Sequence, residues 1–356
     1  MPAHDVIRDD VRAMRAYAVP DSTGLIKLDA MENPYALPVE LAHALGERLS
    51  RVALNRYPPA DPAQFKLDLA RVIGLPVGRA LMLGNGSDEL IHLMIQACAR
   101  HEGDRAIVLA PTPGFVMVET FARLDGCRFV GVPLKPDFAL DTEAMLAAID
   151  AHRPALVFIA YPNNPTGNLF ARGDLEAVLD RAGGLVVIDE AYLPFAQDTW
   201  LPQLADRPRL VVLRTLSKLG LAGIRLGYAC ADPWLIEQFD KVRPPYNVGV
   251  LTLATADFLL AHLPVLDAQA AVIRSERQRL LQALRAHRGV TAFDSAANFV
   301  LFRVAEADRL FAGLRRRGIL VKCVSESHPL LAGCLRVTVG TPQENDAFVQ
   351  AVGALL

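Results

Sequence analysis

Cysteine is scarce in this chain. Its five cysteines (Cys98, Cys127, Cys230, Cys323 and Cys334) are scattered and odd in number. No CxxC pair and no His/Cys cluster with zinc spacing occurs, so neither a disulfide framework nor a structural zinc site is expected. Buried thiols in a reducing cytosol are the natural reading. Charge is balanced: 21% of residues are charged and the net charge is −2. No basic stripe interleaves with aromatics, which argues against nucleic acid as a partner. The one basic run, LRRRG at 314–318, falls in an amphipathic helical pattern and reads as a solvated face. Long apolar runs are also missing. The longest, 248–263, is broken by Thr252, Thr255, Asp257 and His262, so it predicts a buried helix and no membrane span. The first residues carry charge and no apolar h-region, so no secretory signal is read and a cytoplasmic location is expected. Repeats and low-complexity segments are absent.

What is present is a core-forming composition, 52% hydrophobic over 356 residues, enough for two lobes. From residue 80 a rhythm begins. Short apolar runs stand at 80–86, 105–111, 127–134, 155–162, 185–192, 209–216 and 224–230, most of them separated by helical patterns such as 116–124, 141–151 and 172–181. Runs without strict alternation predict a mostly parallel, seven-stranded sheet with helices on both faces. The polar and glycine- or proline-bearing text follows the runs: GNGSDE, PTPGF, YPNNPTG, DEAY and TLSK. Carboxyl ends of parallel strands share one rim, and ligands bind there. After residue 228 helices mix with alternating runs at 289–293, 297–304 and 334–340, which predicts a smaller α+β lobe. The chain thus divides into an N-terminal arm (1–29), a large domain (30–248) and a small domain (249–356).

The chemistry concentrates at strand ends. TLSKLGLAGIRLGY (215–228) sets Ser217 and Lys218 after an apolar run, then Gly220, Gly223 and Arg225. An amine, a hydroxyl and a guanidinium on a glycine-rich bend suit a Schiff-base lysine beside a phosphate. Asp189 ends a strongly apolar strand, where a carboxylate needs a cation or donor, and a protonated pyridine would serve. Tyr192 can offer a phenol to the same ligand. Asn164 sits in a turn that can project its amide into the rim. Residues 84–88 place backbone N–H groups, among them those of Ser87 and Asp88, at a helix start, a geometry that binds phosphate. Each feature alone has a plainer reading: a solvated lysine, a capping aspartate, turn chemistry, a capped helix. Their coincidence on one rim favours a cofactor site.

YPNNPTG, VVIDEAY and TLSKLGLAGIRLGY resemble the corresponding segments of fold-type-I pyridoxal-phosphate aminotransferases. LDAMENP (28–34), NRYP (55–58), GNGSDE (84–89), VRPPYN (242–247), ANF (297–299) and HPLLAGCLRVTVGTPQEN (328–345) are similar to those of the histidinol-phosphate aminotransferase family, and the resemblance runs from about residue 11 to the C-terminus. It implies pyridoxal 5'-phosphate as cofactor and a homodimer. It implies that Lys218 carries the cofactor and moves the proton, that Asp189 pairs with the ring nitrogen, and that Tyr192 and Asn164 hold the ring's phenolic oxygen. Ser87, Asp88, Ser217 and Arg225 would hold the phosphate, joined by Tyr57 from the other subunit. Arg336 would bind the α-carboxylate of glutamate or 2-oxoglutarate, Lys322 would lie near the distal phosphate of histidinol phosphate, and Tyr17 and Asn33 would line the substrate pocket. The chain departs from the family in three places. Pro113 stands where an aromatic usually covers the ring, so Phe115 is expected to take that role. Met31 replaces a usual asparagine, and Lys218 and Arg225 stand one position closer than usual. An aromatic amino-acid aminotransferase or a phospho-amino-acid decarboxylase is the alternative activity. A non-catalytic module on this fold would be expected to lack Lys218 or Asp189.

Overall fold

The computed structural model describes residues 6–14, 16, 19–99 and 104–356. In chain order the strands are β1 (Ile26–Lys27), β2 (Ala80–Asn85), β3 (Ile107–Thr112), β4 (Arg128–Pro133), β5 (Leu156–Ala160), β6 (Leu185–Asp189), β7 (Leu210–Thr215), β8 (Leu226–Ala231), β9 (Thr291–Ala292), β10 (Phe299–Arg303), β11 (Ile319–Leu320), β12 (Lys322–Cys323) and β13 (Cys334–Thr338). Among the described residues, seven strands form one sheet in the order β2-β8-β7-β6-β5-β3-β4. Every neighbour is parallel except β8, which is antiparallel to both β2 and β7. The expected mostly parallel sheet is therefore found.

The apolar runs have a simple cause. Side chains alternate across a strand, and here both faces are covered. Val157, Ile159, Val186, Ile188 and Val212 enter one core, while Leu156, Phe158, Val187, Val211 and Leu213 enter another. The helix Gly86–Cys98 closes the second face with Leu90, Ile91, Met94 and Ile95. Helices Thr142–His152 and Arg172–Arg181 close the first with Met145, Ile149, Leu175 and Val178.

The smaller lobe carries an antiparallel sheet, β12-β13-β10-β9, packed on the helices Leu263–Ala286, Ala307–Arg316 and Pro342–Gly353. The N-terminal segment joins this lobe. β1 pairs in parallel with β11, Leu28 is buried in the lobe's core, and the Thr338 N–H donates to the Leu28 carbonyl. Helix Val250–Leu260 packs instead on Val39–Leu49 and Ala63–Ile73, and it meets the long helix Leu263–Ala286 at a bend of 80°. Among the described residues no single helix is long and apolar enough to cross a membrane.

Behind the carboxyl rim, Glu190 and Arg214 form a buried ion pair at 2.9 Å. Thr199 Oγ1 and the Trp200 N–H also donate to Glu190, so the carboxylate is fully engaged. Removing one member of such a pair strands the other charge away from water. Arg214→Met is expected to lower unfolding free energy by about 3–5 kcal/mol, measured as a fall in the urea midpoint; an unchanged midpoint would contradict this account of the pair.

Candidate active site

The rim is built by topology. β2, β3, β5, β6 and β7 deliver their carboxyl ends to it, and β8, running the other way, begins there. Asp189, Asn164, Ser217 and Lys218 therefore arrive from strand ends, while Arg225 arrives just before β8 starts. Ser87, Asp88, Phe115, Asn164, Asp189, Tyr192, Ser217, Lys218 and Arg225 line one cavity of about 110 Å³. It shares Met31, Phe115, Ala160, Asn164 and Asp189 with an outer cavity of about 400 Å³, which extends to Lys322, Ser327, His328 and Arg336.

The lysine loop is a single wide turn, Ser217–Leu221, interrupted at Gly220 with φ 130°. A Cβ at Gly220 would stand 2.9 Å from the Asn33 amide nitrogen, so the close approach requires glycine. Lys218 Nζ donates to the Ala30 carbonyl at 3.3 Å and lies 5.9 Å from the Tyr192 ring centroid. Burial, then the Arg336 charge, pull its pKa down to about 8. Roughly a tenth of the amine is then neutral at pH 7, against well under a hundredth for an exposed lysine.

Asp189 is buried, and its Oδ1 accepts from the Ala191 N–H at 2.9 Å. Desolvation pushes its pKa up to about 7, against the lowering effect of that N–H. Among the described residues no ion pair engages this carboxylate, and a pyridinium nitrogen would supply one. Asn164 is oriented at both ends. Its Oδ1 accepts from Arg336 Nη1 at 2.6 Å and its Nδ2 donates to the Tyr192 hydroxyl at 3.2 Å. Arg336 also donates through Nη2 to the Asp29 carbonyl and stacks its guanidinium over Phe299.

The opposite end is a cradle for an anion. Arg225 takes left-handed backbone angles (φ 53°, ψ 50°), a cost tolerated mainly at functional sites. Its guanidinium lies 3.5 Å from Ser217 Oγ and 3.4 Å from Asp88 Oδ2. A Cβ on Gly86 would come within 2.7 Å of Arg225 Nη2. One on Gly227 would come within 2.8 Å of both Gly86 C and Ser87 N. The space depends on both glycines, and it opens on the first turn of Gly86–Cys98, where backbone N–H groups and the helix dipole favour negative charge.

These residues fit pyridoxal 5'-phosphate. Asp189 would face its ring nitrogen, Tyr192 and Asn164 its phenolic oxygen, and Ser217, Arg225 and the Ser87 and Asp88 backbone its phosphate. Phe115 reaches both cavities and would be the residue to cover the ring, whereas Pro113 lines the outer cavity alone. When bound, the cofactor supplies an electron sink for the charge left as a proton leaves the substrate's α-carbon. The chain's part would be to move that proton through Lys218, hold a substrate carboxylate with Arg336 and keep Asp189 ionised opposite a cation.

Two expected residues lie outside this chain's own cavities. Asn33 lines neither cavity, because its amide is engaged by Leu219 O, Gln269 Oε1 and the Tyr35 N–H; it braces the lysine loop. Tyr57 is 80% exposed and stacked on Tyr246 at 4.7 Å, away from this chain's own cavity. Tyr17 lies outside the described residues. Conversely, Met31 lines both cavities with φ 54°, and Thr215 lines the inner one. The sequence marks Met31 only as a departure within LDAMENP, whereas Thr215, two residues before Ser217 on a rim strand, could have been read from strand alternation.

An aminotransferase is the class of protein this fold and site define. The chain belongs to the aminotransferase class I and II family, which it matches over residues 23–352. Within that family it is 58% identical to histidinol-phosphate aminotransferase 1 of Ralstonia nicotianae, over 99% of this chain and 94% of that one. It is 57% identical to histidinol-phosphate aminotransferase 1 of Burkholderia lata, over 98% and 97%. The histidinol-phosphate aminotransferase from Sinorhizobium meliloti, solved in complex with pyridoxal-5'-phosphate, shares the fold at a TM-score of 0.87 with 24% identity, covering 99% of this chain and 98% of that one.

Asp189 carries a pH signature. Its ordinary pKa of 3.8 rises to about 7 on folding without cofactor. The folded state then holds the extra proton, so this group's contribution is present below pH 3.8 and is lost as pH climbs through 7. Asp189→Asn has no proton to lose. With cofactor stripped, its thermal midpoint is expected to gain on wild type between pH 5 and 8, while transamination falls about 10²-fold or more. Midpoints that run parallel across this range would refute the assignment.

Proposed function

We propose that this enzyme uses pyridoxal 5'-phosphate to transfer the amino group of L-histidinol phosphate to 2-oxoglutarate, giving imidazole acetol phosphate and L-glutamate in histidine biosynthesis. The observation that carries this reading is the 58% identity with a histidinol-phosphate aminotransferase over nearly the whole of both chains. The outer cavity agrees chemically. Lys322 and Arg336 are directly paired across β12 and β13, so their side chains leave the sheet on one face. Both line the same cavity. The two half-reactions ask for that pair of cations. The amino acceptor brings two carboxylates, one for Arg336 and one for Lys322. The donor has no carboxylate and brings a phosphate ester that Lys322 can meet.

A homodimer completes the site in this reading. Tyr57 projects from an exposed loop and stacks on Tyr246, and Leu54 in the same loop is exposed as well. A tyrosine so placed serves a phosphate only when a second copy lies within reach. Five unpaired cysteines agree with a cytoplasmic location.

A panel of amino donors with 2-oxoglutarate tests the substrate. L-Histidinol phosphate is expected to give the highest kcat/KM, ahead of aromatic amino acids; release of CO₂ from a phosphorylated amino acid, or preference for an aromatic donor, would reject the assignment. Subunit mixing tests the dimer. Lys218→Ala and Tyr57→Ala are each expected to be nearly inactive, and mixed dimers to recover activity because one of their two sites keeps both residues. A fully active monomer in sedimentation would rule this out.

A further inference from the structure

A phosphate ester at the Lys322 end of the outer cavity needs more than an ammonium. Lysine is a strongly hydrated point charge on a flexible stem, and it fixes neither the position nor the orientation of a phosphate. A directional donor beside it would. Ser327 lines the same cavity as Lys322, but its hydroxyl donates to the Val324 carbonyl at 2.7 Å, so its proton is in use. Glu119 is an acceptor and is paired with Arg123. His328 is different. It lines the cavity in extended backbone (φ −163°, ψ 145°), held there by Pro329 after it. Its Nδ1 accepts from the Leu330 N–H at 3.2 Å, capping the short turn Pro329–Leu331. An imidazole nitrogen that accepts carries no proton. The ring proton therefore sits on Nε2, and the capping bond fixes the ring that presents it.

We propose that His328 donates its Nε2–H to the distal phosphate of the amino donor, beside Lys322, and so selects phosphorylated over unphosphorylated donors. Partial burial shifts the imidazole pKa below its ordinary 6.5, which keeps the ring in the neutral, capping form at pH 7. The inference rests on the reading that this end of the cavity receives a phosphate. It adds a neutral, oriented donor to the charge that Lys322 brings.

Two substitutions separate the two edges of the ring. His328→Asn puts an amide oxygen where Nδ1 stands and keeps an acceptor for the Leu330 N–H, but it removes the donor. His328→Gln loses that cap and carries an amide N–H to about where Nε2 stands. Steady-state rates are measured with L-histidinol phosphate and with unphosphorylated L-histidinol, after cofactor absorbance and the thermal midpoint confirm folding. His328→Asn is expected to lose about 10-fold or more in kcat/KM for the phosphate ester, the scale of one hydrogen bond to a charged group, mostly through KM. With histidinol it should stay within about twofold of wild type, and His328→Gln should recover most of the phosphate preference. Equal losses with both donors would mean a structural role and overturn the proposal. So would an unchanged preference in His328→Asn, or no recovery in His328→Gln. A wild-type enzyme that shows no preference for the phosphorylated donor would overturn the reading beneath it as well, and that result is visible before any variant is made.

Discussion

Removal of water from Asp189 and Lys218 is the constraint on which the rest of the structure depends. Buried in one cavity, the carboxylate is pushed up to about 7 and the amine down to about 8. Desolvation is the largest cause in both cases, and it disfavours the charged form of each. The two consequences are complementary. A lysine that sheds its proton near neutral pH is a usable nucleophile and base. A carboxylate that is costly to ionise alone becomes a strong partner for any cation delivered opposite it. The doubly covered sheet, with both faces buried, provides the dry walls that make this tuning possible.

Arg336 extends the same logic across the two lobes. It stands on β13 of the smaller lobe, yet it donates to Asn164 from the larger one and is the leading charge that lowers the Lys218 pKa. Between them passes the N-terminal segment, whose carbonyls at Asp29 and Ala30 accept from Arg336 and Lys218 respectively. Asn298 Nδ2 holds the Met31 carbonyl and Thr338 Oγ1 accepts from the Met31 N–H, so the left-handed turn at Met31 is pinned at both ends. The Arg336 guanidinium, the Lys218 amine and the packing of the two lobes thus meet on a few shared hydrogen bonds.

Much of this site was legible in the chain because parallel topology is a local code. A β-branched run followed by glycine or asparagine marks a strand end, and strand ends converge whether or not their partners are known. Lys218, Asp189, Asn164 and Ser217 could be read in that way, Arg225 from the glycine-rich bend that follows Lys218, and the seven runs correspond to seven strands. Asn33 shows the opposite case. Its neighbours in space, Leu219 and Gln269, are 186 and 236 positions away, so nothing local could reveal that its amide braces a loop. The pairing of β1 with β11, Ile26 against Ile319, was equally invisible, because two residues carry no periodicity.

Residue order alone thus set which side chains end strands, which positions must be glycine and which chemistry is available. Backbone sterics and side-chain alternation act over a few residues, so they can be read along the chain. The folded structure decided protonation, orientation and access. The pKa values of Asp189 and Lys218 come from burial by distant segments, the Asn164 amide is turned by an arginine 172 positions on, and His328 acquires its tautomer from the turn it caps. Electrostatic strength depends on how far water has been excluded, and exclusion is a property of the packed whole.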